Sequence, residues 1–191
     1  RANLGASQGI QSDDEIGDPI EERSPLTPVR RMIADRMAKS ATEIPQAWTL
    51  IEVDVSQLVE LRLAVQSEFE KKEGINLTYL PFVVKVIAEC LKENPLLNSS
   101  WSGTYITLKK QINIGLAAAA PDGLVVPVVH DADTLSLPAL AQKVFDLTSR
   151  ARRGQLRLED VHGGTFTLNN TGVLGSIASK PLINYPQAAI L

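Results

Sequence analysis

A single cysteine, Cys90, stands in 191 residues, which excludes an internal disulfide and makes a reducing compartment the natural setting. Histidine is nearly as scarce. His130 and His162 are the only two, no Cys-x-x-Cys pair occurs, and no metal site is expected. No apolar run reaches the roughly 18–20 residues that a membrane helix needs, and the start carries no signal-peptide pattern. Basic residues are not in excess: 19 Lys and Arg face 22 Asp and Glu, a net charge of −3, which argues against nucleic acid as a partner. Neither Gly-x-Gly-x-x-Gly nor Gly-x-x-x-x-Gly-Lys is present, so a nucleotide-binding βαβ unit is excluded. What is there is a chain with 44% hydrophobic residues, long enough for one large domain, or one domain with a tail, and a real core.

Residues 1–26 lack apolar periodicity and carry Asp13, Asp14, Glu15, Asp18, Glu21 and Glu22. Such a segment buries too little surface to offset its ordering entropy, so it reads as a flexible acidic linker, a solvated tether or a docking tail. Arg1 opens without Met, which does not read as a natural N-terminus. Thr27-Pro28 begins the structured part, residues 27–191, as cap and first residue of a helix with Val29, Ile33 and Met37 on one face. Trp48 to Val55 alternates as a strand. Ser56 caps a second helix with Leu58, Leu61, Val65 and Phe69 at helical spacing and Gly74 as its stop. Thr78 to Asn94 is the most apolar helix, its polar residues confined to the stripe Lys85, Glu89, Lys92, so it is expected to be packed on nearly all sides with Cys90 a buried, inert thiol.

A strand-rich block follows, with YITLKK and INIGLAAAA before the turn Pro121-Asp122-Gly123 and LVVPVV after it. Pro127 cannot donate to a ladder, so that last strand is an edge, is bulged, or breaks there. Ser136 caps another helix with Leu137, Leu140, Val144 and Leu147 inside. Arg150, Arg152 and Arg153 in its last turn suit the helix dipole, with phosphate binding as the second reading. The order of elements gives an α/β sandwich with a mixed sheet. Gly163 to Gly172, GGTFTLNNTG, is a strand that runs into two adjacent carboxamides, Asn169 and Asn170. They either satisfy a turn through their own backbone or aim donors at a ligand.

RRMIADRMAKSATEIPQAW, LTYLPFVVKVIAECLKENPLLNSS, INIGLAAAAPDGLVVPVVHDAD and GGTFTLNNTG…INYPQAAIL occur in one order over about residues 26–191. That series resembles the catalytic core of the dihydrolipoamide acyltransferases of 2-oxo acid dehydrogenase complexes, most of all the bacterial branched-chain type. The resemblance implies a two-layer sandwich like that of chloramphenicol acetyltransferase and transfer of a branched-chain acyl or acetyl group between dihydrolipoamide and coenzyme A. It implies a homotrimer with each active site between two subunits, building a cubic or dodecahedral core. It further implies decarboxylase and dihydrolipoamide dehydrogenase components as partners, a lipoyl group carried on a domain absent from this chain, and a setting in the bacterial cytoplasm, or the mitochondrial matrix in a eukaryote. A non-catalytic core-forming scaffold that docks partner enzymes is the competing function.

By the same resemblance Asn169 stands where many members hold Ser or Thr, and a carboxamide N–H is a competent oxyanion donor. Asn170 and Gly172 then shape the thiol side of the pocket, and Arg62 and Thr78 fall where coenzyme A contacts belong. The family's general base is a histidine in His-x-x-x-Asp-Gly, and neither His130 nor His162 stands in that pattern. The apolar run that ends at Leu191 is not how a domain normally ends, so the expectation is a C-terminally shortened catalytic domain, a fragment or an inactive relative, with little activity alone.

Overall fold

The computed structural model describes residues 25–26, 28–121 and 123–191. The reading of residues 1–24 as a linker, the Thr27 cap and Asp122 of the turn lie outside these. Three helices come first: α1 (Pro28–Glu43), α2 (Ser56–Glu73) and α3 (Leu80–Glu93). Six short strands follow: β1 (Ser99–Trp101), β2 (Ile106–Leu108), β3 (Ile114–Leu116), β4 (Ala118–Ala120), β5 (Gly123–Val125) and β6 (Val128–Val129). Helix α4 (Leu137–Arg152) and strand β7 (Phe166–Leu168) complete the set.

The central sheet has the order β6-β3-β7, with β3 antiparallel to β6 and parallel to β7, so it is mixed. The crossover from β3 to β7 carries α4. Two antiparallel ribbons, β1-β2 and β4-β5, flank it. Pro127 breaks LVVPVV into β5 and β6, because it lacks the N–H a ladder needs; its carbonyl still accepts from Leu116 N–H at 2.8 Å.

The register Ile114↔Phe166, Gly115↔Thr167, Leu116↔Leu168 gives the sheet two unlike faces. Ile112, Ile114, Leu116, Phe166 and Leu168 pack with Val84, Ile87, Ala88 and Leu91 of α3 and Leu140, Val144 and Leu147 of α4 in one core. Burying a side chain of this size contributes about 1.5–3 kcal/mol, so this two-layer arrangement dominates the fold's stability. The opposite face is polar and small: Asn113, Gly115, Thr165 and Thr167. Gly115 is required there, since a Cβ on it would lie 2.7 Å from Val126 Cγ1.

The expected caps hold in part. Ser136 Oγ accepts from Ala139 N–H at 3.4 Å, and Gly74 stops α2 in the left-handed region at φ 72° with its N–H on Glu70 O. Ser56 is itself the first residue of α2, and the capping carboxylate is Asp54, which accepts from Ser56 N–H at 2.9 Å.

Two expectations fail, for 48–55 and for α3, and the apolar positions of α2 lie bare as well, all for one reason. Residues 48–55 form no strand among the described residues; Trp48, Ile51 and Val53 are 59%, 76% and 72% exposed, with no neighbouring strand to pair. Helix α2 has no buried residue, and Leu61 and Val65 face outward. Helix α3 buries only one side, leaving Val86 and Cys90 exposed, so Cys90 is not a buried thiol. The amphipathic patterns are real, but nothing among the described residues covers these surfaces.

Candidate functional site

Asn169 follows directly on β7, and both atoms of the peptide group that precedes it are bonded. Leu168 O accepts from Ala117 N–H at 2.9 Å on one side, and Asn169 N–H donates to Leu191 O at 2.6 Å on the other. The Asn169 carboxamide has no hydrogen-bond partner among the described residues, and the residue is half-buried. A carboxamide on a fixed backbone with its N–H donors uncommitted can donate them to a ligand.

Asn170 is used differently. Its Oδ1 accepts from Gly172 N–H at 3.1 Å and caps a 3-10 turn over Thr171–Leu174, the local bonding foreseen as the alternative role of the pair. Gly172 is exposed, and a Cβ on it would sit 3.2 Å from Asn170 Oδ1, so its lack of a side chain lets that bond close.

Arg62 and Thr78 come together elsewhere, at the junction of α2 and α3. Arg62 Nε donates to Leu77 O at 2.6 Å, and its guanidinium lies over the Tyr79 ring, 4.7 Å from the centroid. Thr78, exposed, lies between those two anchor points. No hydrogen bond or ion pair among the described residues joins this pair to the Asn169 group.

His130 and His162 are exposed and sit at the other end of the sheet. The His130 ring lies beside Gly163, and its Nε2 is 3.3 Å from Glu159 O. Asn169 is four residues beyond Thr165 along the strand, on the order of 13 Å. A general base must come within about 3 Å of the proton it takes, or one water further. Neither histidine reaches in one copy of the chain.

Arg150 is fully committed. Its guanidinium binds Asp146 Oδ2 through Nε at 3.0 Å and Nη2 at 2.8 Å, and both oxygens of Asp160. The Arg150 hydrogen bonds, set against the cost of burial, hold the Asp160 carboxyl down to about 2. Arg150 is therefore a structural partner that fastens the loop before β7, and a phosphate role for it is not supported.

Sequence reasoning missed a polar cluster behind Asn169. Thr167, Asn184 and Gln187 meet on the polar face of β7, and Ser40 of α1 reaches the same segment. The clue was available: Thr167 alternates with Phe166 and Leu168 and so must face away from the helices. A cleft of about 700 Å³ adjoins this cluster, with Ile44, Trp101, Ile106, Tyr185 and Gln187 in its wall. A second, of about 610 Å³, is walled by Arg31, Arg36, Lys39 and Tyr185. Asn169 lines neither.

The family model described as 2-oxoacid dehydrogenases acyltransferase (catalytic domain) matches residues 18–191. The lipoamide acyltransferase component of the branched-chain alpha-keto acid dehydrogenase complex of Bacillus subtilis is 48% identical over 171 residues, 90% of this chain. The chain spans only 40% of that relative's length. A solved structure of a probable dihydrolipoamide acetyltransferase from Listeria monocytogenes superposes with a TM-score of 0.84 at 46% identity, covering 89% of this chain and 73% of that one. The cubic core of a pyruvate dehydrogenase multienzyme complex superposes with a TM-score of 0.83 at 34% identity, covering 93% and 72%.

Proposed function

We propose, from the premise that this chain belongs to the 2-oxoacid dehydrogenase acyltransferase (catalytic domain) family, that it moves an acyl group between dihydrolipoamide and coenzyme A. The mixed α/β sandwich is the fold of that family's cores, which is the chloramphenicol acetyltransferase-like fold. Residues 27–191 serve as the catalytic domain and residues 1–26 as its tether. The acyl group is of the branched-chain or acetyl kind, and the lipoyl arm arrives on a separate carrier domain.

In the reaction the coenzyme A sulfur attacks the acyl carbonyl carbon, a C–S bond forms, and the carbonyl oxygen becomes an oxyanion. Collapse of that intermediate breaks the C–S bond to dihydrolipoamide, and the proton lost by coenzyme A ends on the leaving sulfur. A free thiol has a pKa near 8.5 and is mostly protonated at neutral pH, so the exchange needs a base. Asn169 donates a carboxamide N–H to the oxyanion, Asn170 and Gly172 shape the thiol side, and Arg62 and Thr78 receive the phosphate-bearing part of coenzyme A. The family's base is the histidine of His-x-x-x-Asp-Gly; the 191 residues hold no such pattern and His130 and His162 lie too far from Asn169 to replace it, so these residues by themselves transfer acyl groups feebly. Copies assemble as trimers and these as a larger hollow core that docks the decarboxylase and dihydrolipoamide dehydrogenase components.

The observation that carries this reading is the Asn169 carboxamide, unpartnered on a peptide bonded on both sides. Its test is Asn169→Ala in the assembled enzyme. Loss of one such donor costs about 2.7–4 kcal/mol, a fall in kcat of about 100- to 1,000-fold. Unchanged turnover would remove Asn169 from the oxyanion role, and an assembled protein with no turnover even before substitution would be a scaffold.

A further inference from the structure

Strand β7 sends its side chains to two destinations. Phe166 and Leu168 enter the helix-packed core, while Thr167 between them faces the other way and is 1% exposed. There its hydroxyl donates to Oε1 of Gln187, itself 7% exposed, at 2.6 Å, and Asn184 Nδ2 reaches the same hydroxyl at 3.4 Å. Helix α1 and the residues after it grip the segment from the far side. Ser40 Oγ donates to Ile183 O at 2.6 Å, Gln46 Nε2 to Ser40 Oγ at 3.1 Å, and Ile183 N–H to Gln46 Oε1 at 3.3 Å. The backbone then closes the circuit. Leu191 N–H donates to Thr167 O at 3.1 Å, and Leu191 O accepts from Asn169 N–H.

We propose that Thr167 is a positioning residue for Asn169. Its bond to Gln187 seats residues 183–191 against β7, and that segment supplies the carbonyl that holds the Asn169 peptide. The proposal rests on Asn169 being the oxyanion donor. A buried hydroxyl–amide pair resists loss because the remaining partner would be left dry and unsatisfied. Without it the segment relaxes and Leu191 O shifts, while an oxyanion donor must stay within 2.7–3.1 Å of its target. Misplacement by on the order of 1 Å costs up to about 100-fold in rate.

The test is steady-state kinetics on the assembled enzyme with coenzyme A and acyl-dihydrolipoamide. Thr167→Val keeps the shape and removes the hydroxyl. It is expected to lower kcat about tenfold or more, with KM for coenzyme A within about twofold. Thr167→Ser restores the hydroxyl and should restore kcat. In an Asn169→Ala background, Thr167→Val should change kcat little, because the two act through one donor. Gln187→Met removes the acceptor instead and carries the same expectations, should Thr167→Val fail to assemble. A Thr167→Val enzyme that melts lower yet keeps its kcat overturns the proposal. So does an equal loss of kcat with and without Asn169. Asn169→Ala slow with Thr167→Val at full rate sinks this inference alone; Asn169→Ala at full rate sinks the oxyanion reading with it.

Discussion

Asn169 and Arg62 show how differently two polar side chains are prepared. The first has its backbone fixed and its carboxamide uncommitted. The second has its side chain fixed: Nε is spent on Leu77 O and the guanidinium plane on Tyr79, so the donors that remain point in a set direction. Under the proposal that Arg62 receives a coenzyme A phosphate, that group is bound equally before and during the reaction. Arg62→Ala should therefore raise KM for coenzyme A about tenfold and leave kcat nearly unchanged. The same variant should be indistinguishable from the parent when a thiol lacking phosphates replaces coenzyme A. Arg62→Lys should not restore binding, because a point charge cannot reproduce the stacked, forked geometry.

At the scale of elements, β7 is secured at its start as well as at its end. Asp160 is buried, its carboxylate taken by Arg150 with a further hydrogen bond from Arg157 N–H at 2.7 Å. Because folding lowers its pKa from 3.8 to about 2, its stabilisation is fully present above pH 4 and is lost as pH falls from about 4 to about 2. Asp160→Asn should thus cost on the order of 2 kcal/mol at neutral pH and much less near pH 2. Urea midpoints for the two proteins should converge as the solution is acidified, and parallel curves would remove Asp160 from this role.

Much of the element pattern was legible: α1, α4, the apolar stripe of α3, the break at Pro127 and the strand before Asn169 all follow local chemistry. The polar cluster was not, because Thr167 and Gln187 are 20 residues apart and only the register of β7 brings them together. Nor could local pattern tell that the apolar sides of α2 and α3 and the stretch 48–55 lie bare. Periodicity announces which face wants cover, not which molecule covers it. At the site, Asn169 was legible only through resemblance, and the turn role of Asn170 was one of two equal readings until its Oδ1 was located.

Taken together, the described residues leave a long run of large apolar side chains exposed. Trp48, Leu50, Ile51, Val53 and Val55 stand out from one stretch, with Leu61 and Leu63 on the helix that follows. A bare row of this kind marks an association surface. Replacing both Leu50 and Ile51 with Asp should shift the sedimenting species from assemblies toward single copies without abolishing the helical circular dichroism. A double variant that stays fully assembled would show that the contact lies elsewhere.

Cys90 stands in the open on α3 and is the chain's sole thiol. Each polypeptide therefore accepts one maleimide-linked spin label with no engineered substitution. Dipolar spectroscopy on such a preparation reads the symmetry directly: three copies about one axis give a single repeated separation, whereas a pair of trimers adds a second.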